Sequence, residues 1–239
     1  MQQVFPLISA IRTVVWGIFF YVGTLLLVGL AAILAPFSQG ALVMLTRCWS
    51  RWHRICAAIL LGQRVQVKGA LPTGAAFVIM KHEAMFETID MPLLFHRPVV
   101  FAKAELFDIP LWGRLARRYG LLPIERDAGA KALRQMRRSA LDVMAKGRPL
   151  ILLPEGTRVP HGEHPSIRSG FAGLYALLGV DVTPVAVNSG ALRHARWRWV
   201  RLPGTISYQV GATIRAGLPR DKAENLAHRA INLLNAQSR

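Results

Sequence analysis

Two short stretches carry side chains able to do chemistry. The first is Lys81-His82-Glu83-Ala84-Met85-Phe86-Glu87, which directly follows the apolar run Ala75–Met80. A histidine just past a strand with a carboxylate five positions later can form a base and its orienting acid. On a continuous helix two residues five apart differ by about 140° and cannot face each other. The pair therefore requires His82 at or before a helix N-terminus, its ring turned back over the first turn. Glu87 then accepts a hydrogen bond from one ring nitrogen and leaves the other basic. Asp90 lies a turn further on and is the poorer partner. Glu83 beside His82 suggests an HExxH zinc site, but Phe86 stands where the second histidine would be, which excludes that motif.

The second stretch is Pro154-Glu155-Gly156-Thr157-Arg158, at the end of the apolar run Pro149–Leu153. Gly156 permits close backbone approach, Thr157 offers a hydroxyl, and Arg158 is a forked cation suited to phosphate. Glu155 could hold Arg158 or contact a substrate hydroxyl. Taken singly, each stretch also reads as ordinary structure, a capping histidine in one case and a turn with a surface ion pair in the other. His161 and His164 sit in a His-Gly-Glu-His loop without two further convincing ligands, so no metal is expected. No GxSxG elbow for a serine nucleophile occurs.

The elements that must position these residues follow from the apolar pattern. Candidate strands are Arg64–Lys68, Ala75–Met80, Pro98–Lys103, Leu121–Ile124, Pro149–Leu153, Val182–Val187 and Thr205–Val210. Candidate helices are Ala84–Phe95, Leu111–Tyr119, Gly129–Lys146, Gly170–Gly179 and Arg220–Ala236. The alternation predicts an α/β fold, a single mixed, mostly parallel sheet flanked by helices. In such sheets the strand C-terminal ends carry the functional loops.

With four ordered blocks the sequence resembles the glycerolipid acyltransferase family, most closely its 1-acyl-glycerol-3-phosphate acyltransferases. The blocks are His82…Glu87; Lys103-Ala104-Glu105-Leu106 with Pro110, Gly113, Gly120 and Ile124-Glu125-Arg126; Glu155-Gly156-Thr157-Arg158; and Val182-Thr183-Pro184-Val185-Ala186-Val187. They span about residues 75–190. Glu87 stands where the family has Asp, keeping the charge with one more methylene, and Arg168-Ser169-Gly170 keeps the charge where the family often has Lys. The resemblance implies direct transfer of a fatty acyl group from acyl-CoA or acyl carrier protein to the sn-2 hydroxyl of lysophosphatidic acid, giving phosphatidic acid. It implies His82 as base, Glu87 as its orienter, Arg126, Arg158 and Lys103 as holders of the acceptor phosphate, and Glu155, Gly156 and Thr157 as shapers of the acceptor site. No cofactor is implied beyond the acyl donor itself. Other lyso-lipids or glycerol 3-phosphate are alternative acceptors.

Composition supports a membrane setting. The 239 residues are 52% hydrophobic and 18% charged, which excludes disorder, and two cysteines, Cys48 and Cys56, cannot build a disulfide framework. No charged residue occurs between Arg12 and Arg47, and Val14–Leu34 supplies 21 apolar or small residues, enough to cross a hydrocarbon core. A signal peptide fits poorly, because this run is too long and only Arg12 precedes it. Beyond Pro36–Gly40, Leu45, Cys48, Trp49, Trp52, Ile55, Cys56 and Ile59 recur at helical spacing, with Arg47, Arg51 and Arg54 on another face. The same stripe would also suit a helix packed on the protein's own core. Residues 1–61 are therefore expected to form an N-terminal helical membrane anchor, either a span or a two-helix motif in one leaflet, and residues 62–239 an α/β acyltransferase domain. Positive charge gathers after the apolar run, which predicts a cytoplasmic catalytic side, at the inner membrane in a bacterium. The net charge is +17, with clusters at Arg114–Arg138 and Arg193–Arg201. Anionic lipid is the expected partner, and nucleic acid is not, since no zinc-finger or RNP-type motif is present. A reading of another class is a membrane-tethered basic scaffold, disfavoured by the intact charge types of all four blocks.

Overall fold

The computed structural model describes residues 4–124 and 129–235. Two antiparallel-packed N-terminal helices, α1 (Val4–Leu34) and α2 (Gln39–Cys56), precede a π-helical turn at Ala57–Leu61. Seven strands follow: β1 (Gln63–Lys68), β2 (Phe77–Met80), β3 (Val99–Lys103), β4 (Leu122–Ile124), β5 (Leu150–Leu152), β6 (Val182–Val187) and β7 (Gly204–Val210). Between and after them run α3 (Phe86–Leu94), α4 (Trp112–Tyr119), α5 (Gly129–Ala145), α6 (Ser169–Leu178) and α7 (Arg220–Ile231). The strands form one sheet in the order β1-β7-β6-β2-β5-β3-β4, and every pairing is parallel except β6 with β7. The expected single, mixed, mostly parallel sheet flanked by helices is what the chain adopts.

The central strands β2 (Phe-Val-Ile-Met) and β5 (Leu-Ile-Leu) are buried throughout, as parallel strands covered on both faces must be. Strand alternation then sorts their side chains. Phe77 and Ile79 of β2 join Leu150, Phe171, Leu174, Ala223 and Ala227 beneath α5, α6 and α7. Val78 and Met80 face the other way and pack with Phe86 and Met91 of α3. Trp16 and Phe20 of α1, and Cys56, Ala57 and Leu61, belong to that same second layer. The N-terminal helices thus supply part of the core on one face of the sheet.

Elsewhere α1 is bare. It is the one helix among the described residues long and apolar enough to cross a membrane, and Leu25 and Leu26 are 72% and 70% exposed. Its contact with α2 is close: Trp49 donates from Nε1 to Thr24 Oγ1 at 3.0 Å, and a Cβ at Gly23 would lie 2.1 Å from the Trp52 ring. An open apolar groove of about 620 Å³ runs between the helices from Ile18 to Leu27, with Arg51 at its rim. The stripe expected on α2 is only partly inward, since Cys48 and Ile55 are exposed. Arg54, which its spacing puts on one face with Arg47 and Arg51, turns in to Asp90 of α3, with contacts of 2.5 and 2.8 Å. Asp90 is fully buried, and a buried carboxylate requires a counter-charge.

Candidate active site

Three neighbouring parallel strands, β6, β2 and β5, end on the same edge of the sheet, and each contributes a loop to one cluster. α3 begins at Phe86, so Lys81–Met85 form a non-helical bridge after β2. That bridge allows His82 to fold back over the helix entrance. His82 Nδ1 lies 2.9 Å from Glu87 Oε1. The same oxygen accepts the backbone N–H groups of Glu83 (2.7 Å) and Ala84 (2.8 Å), and Glu87 Oε2 accepts the Ser189 hydroxyl at 2.5 Å. A carboxylate surrounded by backbone and hydroxyl donors is an acceptor, so the proton between the pair belongs on His82 Nδ1. His82 Nε2 is thereby left with its lone pair, the state a general base requires. Glu87 is fully buried, whereas the His82 side chain keeps 15% of its surface exposed.

The loop after β5 is fastened to the same bridge. Val159 N donates to His82 O at 2.8 Å, and Glu155 Oε2 accepts the His82 backbone N–H at 2.9 Å. Glu155 Oε1 takes the Lys81 ammonium at 2.5 Å, and Lys81 Nζ also donates to Glu163 O and Asn232 Oδ1. Glu155 is therefore turned into the protein. The expectation that it holds Arg158 or meets a substrate hydroxyl is corrected. Lys81 is wholly buried between the ends of β2 and β5, and its ammonium needs the carboxylate that Glu155 brings there.

Gly156 adopts φ +69°, the left-handed region where glycine carries no Cβ penalty, and a Cβ there would come 3.1 Å from Arg168 Nε. Thr157 and Arg158 beyond it are exposed. Lys103 stands exposed at the C-terminal end of β3, with β5 between β3 and β2. Arg126 lies outside the described residues.

Several members of the cluster escape a motif-based reading. The Ser189–Gly190 loop after β6 holds both acids of the bridge, since Gly190 N donates to Glu83 Oε2 at 2.8 Å as Ser189 does to Glu87. His161 Nδ1 lies 3.0 Å from Glu83 Oε1. Burial, opposed in part by the Gly190 N–H and reinforced by the Glu87 charge, pushes Glu83 up to about 8. Burial and then the Lys81 charge push His161 down. Together they describe a neutral carboxyl beside a neutral imidazole. Arg193, four residues past Ser189, has its pKa lowered by burial and then by the repulsion of Arg158. Arg158 and Arg193 bring positive charge from the loops after β5 and β6, which is chemistry suited to an anion. For Ser189, Gly190 and Arg193 the signal in the sequence is position, just after the apolar run of β6.

A histidine held by a buried carboxylate at the C-terminal edge of a parallel sheet is an arrangement able to take a proton from a hydroxyl. A family model described as Acyltransferase matches residues 64–188, from β1 through the end of β6. The chain belongs to the acyltransferase family. Relatives of this acyltransferase include a 1-acyl-sn-glycerol-3-phosphate acyltransferase of Pseudomonas aeruginosa, 26% identical over 235 residues, covering 97% of this chain and 88% of the relative. A lyso-ornithine lipid O-acyltransferase of the same organism is 36% identical over 149 residues, 60% of this chain and 53% of the relative. The crystal structure of the 1-acyl-sn-glycerophosphate acyltransferase of Thermotoga maritima superposes with a TM-score of 0.71 at 19% identity, covering 96% of this chain and 99% of that one. That likeness extends the shared fold over the N-terminal helices as well as the sheet of this acyltransferase.

Proposed function

We propose that the enzyme moves a fatty acyl group from a thioester, acyl-CoA or acyl carrier protein, to the sn-2 hydroxyl of lysophosphatidic acid. The observation that carries this reading is the 2.9 Å contact between His82 Nδ1 and the buried Glu87, which leaves Nε2 basic. His82 Nε2 takes the proton of the acceptor hydroxyl as its oxygen attacks the thioester carbonyl. The tetrahedral intermediate collapses by breaking the C–S bond, and the leaving thiolate takes the proton back from the imidazolium as a free thiol. Glu87 keeps the ring in its tautomer and stabilises the transient positive charge. Arg158 binds the acceptor phosphate, with Lys103 and Arg126 as further holders, and Gly156 and Thr157 shape the floor beneath it. No cofactor beyond the donor enters these steps.

The apolar face of α1, with α2 packed along it, seats this site at a bilayer surface, where both acceptor and product reside. Trp16 and Phe20, midway along α1, are buried in the catalytic core. A helix committed at its middle to a water-soluble domain favours a two-helix anchor in one leaflet over a free-standing span. The charge that follows the apolar run favours the cytoplasmic leaflet.

Purified full-length protein in detergent, with a thiol reagent reporting release of CoA or carrier-protein thiol, tests the reading. Lysophosphatidic acid should drive thiol release, and His82→Ala should remove it without loss of fold. Retained turnover in that variant ends the general-base assignment. The 36% identity to a lyso-ornithine lipid O-acyltransferase favours one second reading, an acceptor whose head group is an amino acid. The same assay separates the two. With lysophosphatidic acid, Arg158→Ala should raise the acceptor KM, whereas turnover only on the amino-acid lyso-lipid would replace the first reading with the second.

A further inference from the structure

Beyond Ser189 and Gly190 the chain leaves the active site as a hairpin. An isolated antiparallel bridge joins Arg193 to Arg201, and His194 N donates to Val200 O at 3.0 Å. Leu202 N donates to Leu192 O at 2.8 Å, and Val200 N to Trp197 O at 2.7 Å across the tip. The base is fixed to α1. Val200 is fully buried, Arg201 N donates to Thr13 Oγ1 at 3.0 Å, and the Arg201 guanidinium lies 4.3 Å from the centre of the Trp16 ring. The tip is the reverse. Trp197 and Trp199 are 41% and 57% exposed, and Arg196 and Arg198 beside them are exposed too.

Two large indoles held in water on a hydrogen-bonded hairpin lose hydrophobic free energy that most tryptophans recover by burial. What could cover them is indicated by the neighbourhood. The hairpin is pinned to the stretch of α1 whose outer face shows Leu7, Ile11, Val14 and Ile18 to the exterior. Indole rings, apolar over most of their area with one N–H, settle at the boundary between head groups and acyl chains. Arginines at that depth meet lipid phosphates. We propose that the hairpin Arg193–Arg201 is a second membrane-docking element, with Trp197 and Trp199 at the acyl boundary of an anionic bilayer and Arg196 and Arg198 on its phosphates. The proposal rests on the reading of α1 as a membrane anchor. Since Ser189 and Gly190 at the hairpin's root hold Glu87 and Glu83, docking also fixes the catalytic cluster at a set height above the lipid. An acidic carrier protein could meet the same arginines. It would leave unexplained why the hairpin's base is pinned to the turns of α1 that carry the exposed Ile11, Val14 and Ile18.

The test uses full-length protein reconstituted with vesicles containing brominated phosphatidylglycerol, recovered by flotation. The emission difference between the parent and the Trp197→Phe/Trp199→Phe variant isolates the two indoles. It should be blue-shifted, quenched by the bromines and shielded from acrylamide. The protection should be lost in Arg196→Glu/Arg198→Glu, with the melting temperature unchanged. If the protein floats but the difference emission stays at the water-exposed wavelength and open to acrylamide, the hairpin proposal is overturned and the α1 anchor stands. Failure to float overturns both. Protection that appears only when an acyl carrier protein is added in detergent overturns it in favour of a protein contact.

Discussion

Glu83 in the bridge and Glu87 in the first turn of α3 are four residues apart and receive opposite treatment. Glu87 gathers donors from two backbone N–H groups, an imidazole and Ser189, so its negative charge is well solvated by the protein. Glu87→Gln keeps an amide oxygen for the donors that meet Oε1, turns its NH2 to the Ser189 hydroxyl as acceptor, and loses the negative partner of the imidazolium. Its kcat should fall by about 10²- to 10⁴-fold, while the protein still unfolds cooperatively near the parental temperature; kcat and melting curves measured together check this. Glu83 is held protonated up to about pH 8 in the folded chain, against an ordinary value of 4.5. Between those values the native state binds the extra proton, so stability falls as pH rises across that window. Glu83→Gln, which keeps the shape and a donor for His161, should flatten that decline. Melting temperatures of both proteins from pH 5 to 8.5 give the comparison, and parallel curves would remove Glu83 as the cause.

At the scale of elements, the ends of β2, β5 and β6 are tied by buried polar contacts that no strand or helix pattern announces. Lys81 is the central one, reaching Glu155 after β5, the carbonyl of Glu163 and Asn232 after α7. Lys81→Met leaves the Glu155 carboxylate buried without its counter-charge and should destabilise the fold by about 3–5 kcal/mol. Adding Glu155→Gln should restore a large part of that loss, and denaturant unfolding of both variants and their combination gives the coupling. These contacts mark the boundary of what could be read in advance. All seven strands were legible: β2, β5 and β6 as short, mostly buried apolar runs bounded by polar loops, and β1 and β7 by the alternation of apolar and polar residues. The histidine–glutamate geometry was legible because a five-residue separation is compatible with contact only across a helix entrance. The inward turns of Glu155 and Arg54 were not legible for one reason: their partners, Lys81 and Asp90, lie 74 and 36 positions away, and one-dimensional periodicity contains no information on such pairings. Ser189 and Arg193 were invisible to motif reasoning for the same cause, although their place just past β6 marked the loop as functional ground.

At the scale of the whole molecule, α1 has two duties that a sequence reading as a membrane anchor does not separate. Its inner face puts Trp16 and Phe20 into the core that also contains Val78, Met80 and Phe86, and its outer face shows leucines and isoleucines to the exterior. Removing residues 1–61 therefore strips the exposed apolar surface and also uncovers one face of the sheet. Burying a side chain of the size of Phe is worth about 1.5–3 kcal/mol, so losing Trp16, Phe20, Cys56, Ala57 and Leu61 together is comparable to the whole stability of an ordinary domain. The truncated protein should be insoluble or unfolded, not a soluble enzyme. Substituting Leu25, Leu26 and Ile33 by serine alters only the outer face, and should weaken vesicle binding while the melting temperature holds in detergent. Flotation and thermal unfolding of the two variants side by side separate the duties. A folded, active protein lacking residues 1–61 would show that the sheet face can close without α1, and that the helix serves the membrane alone.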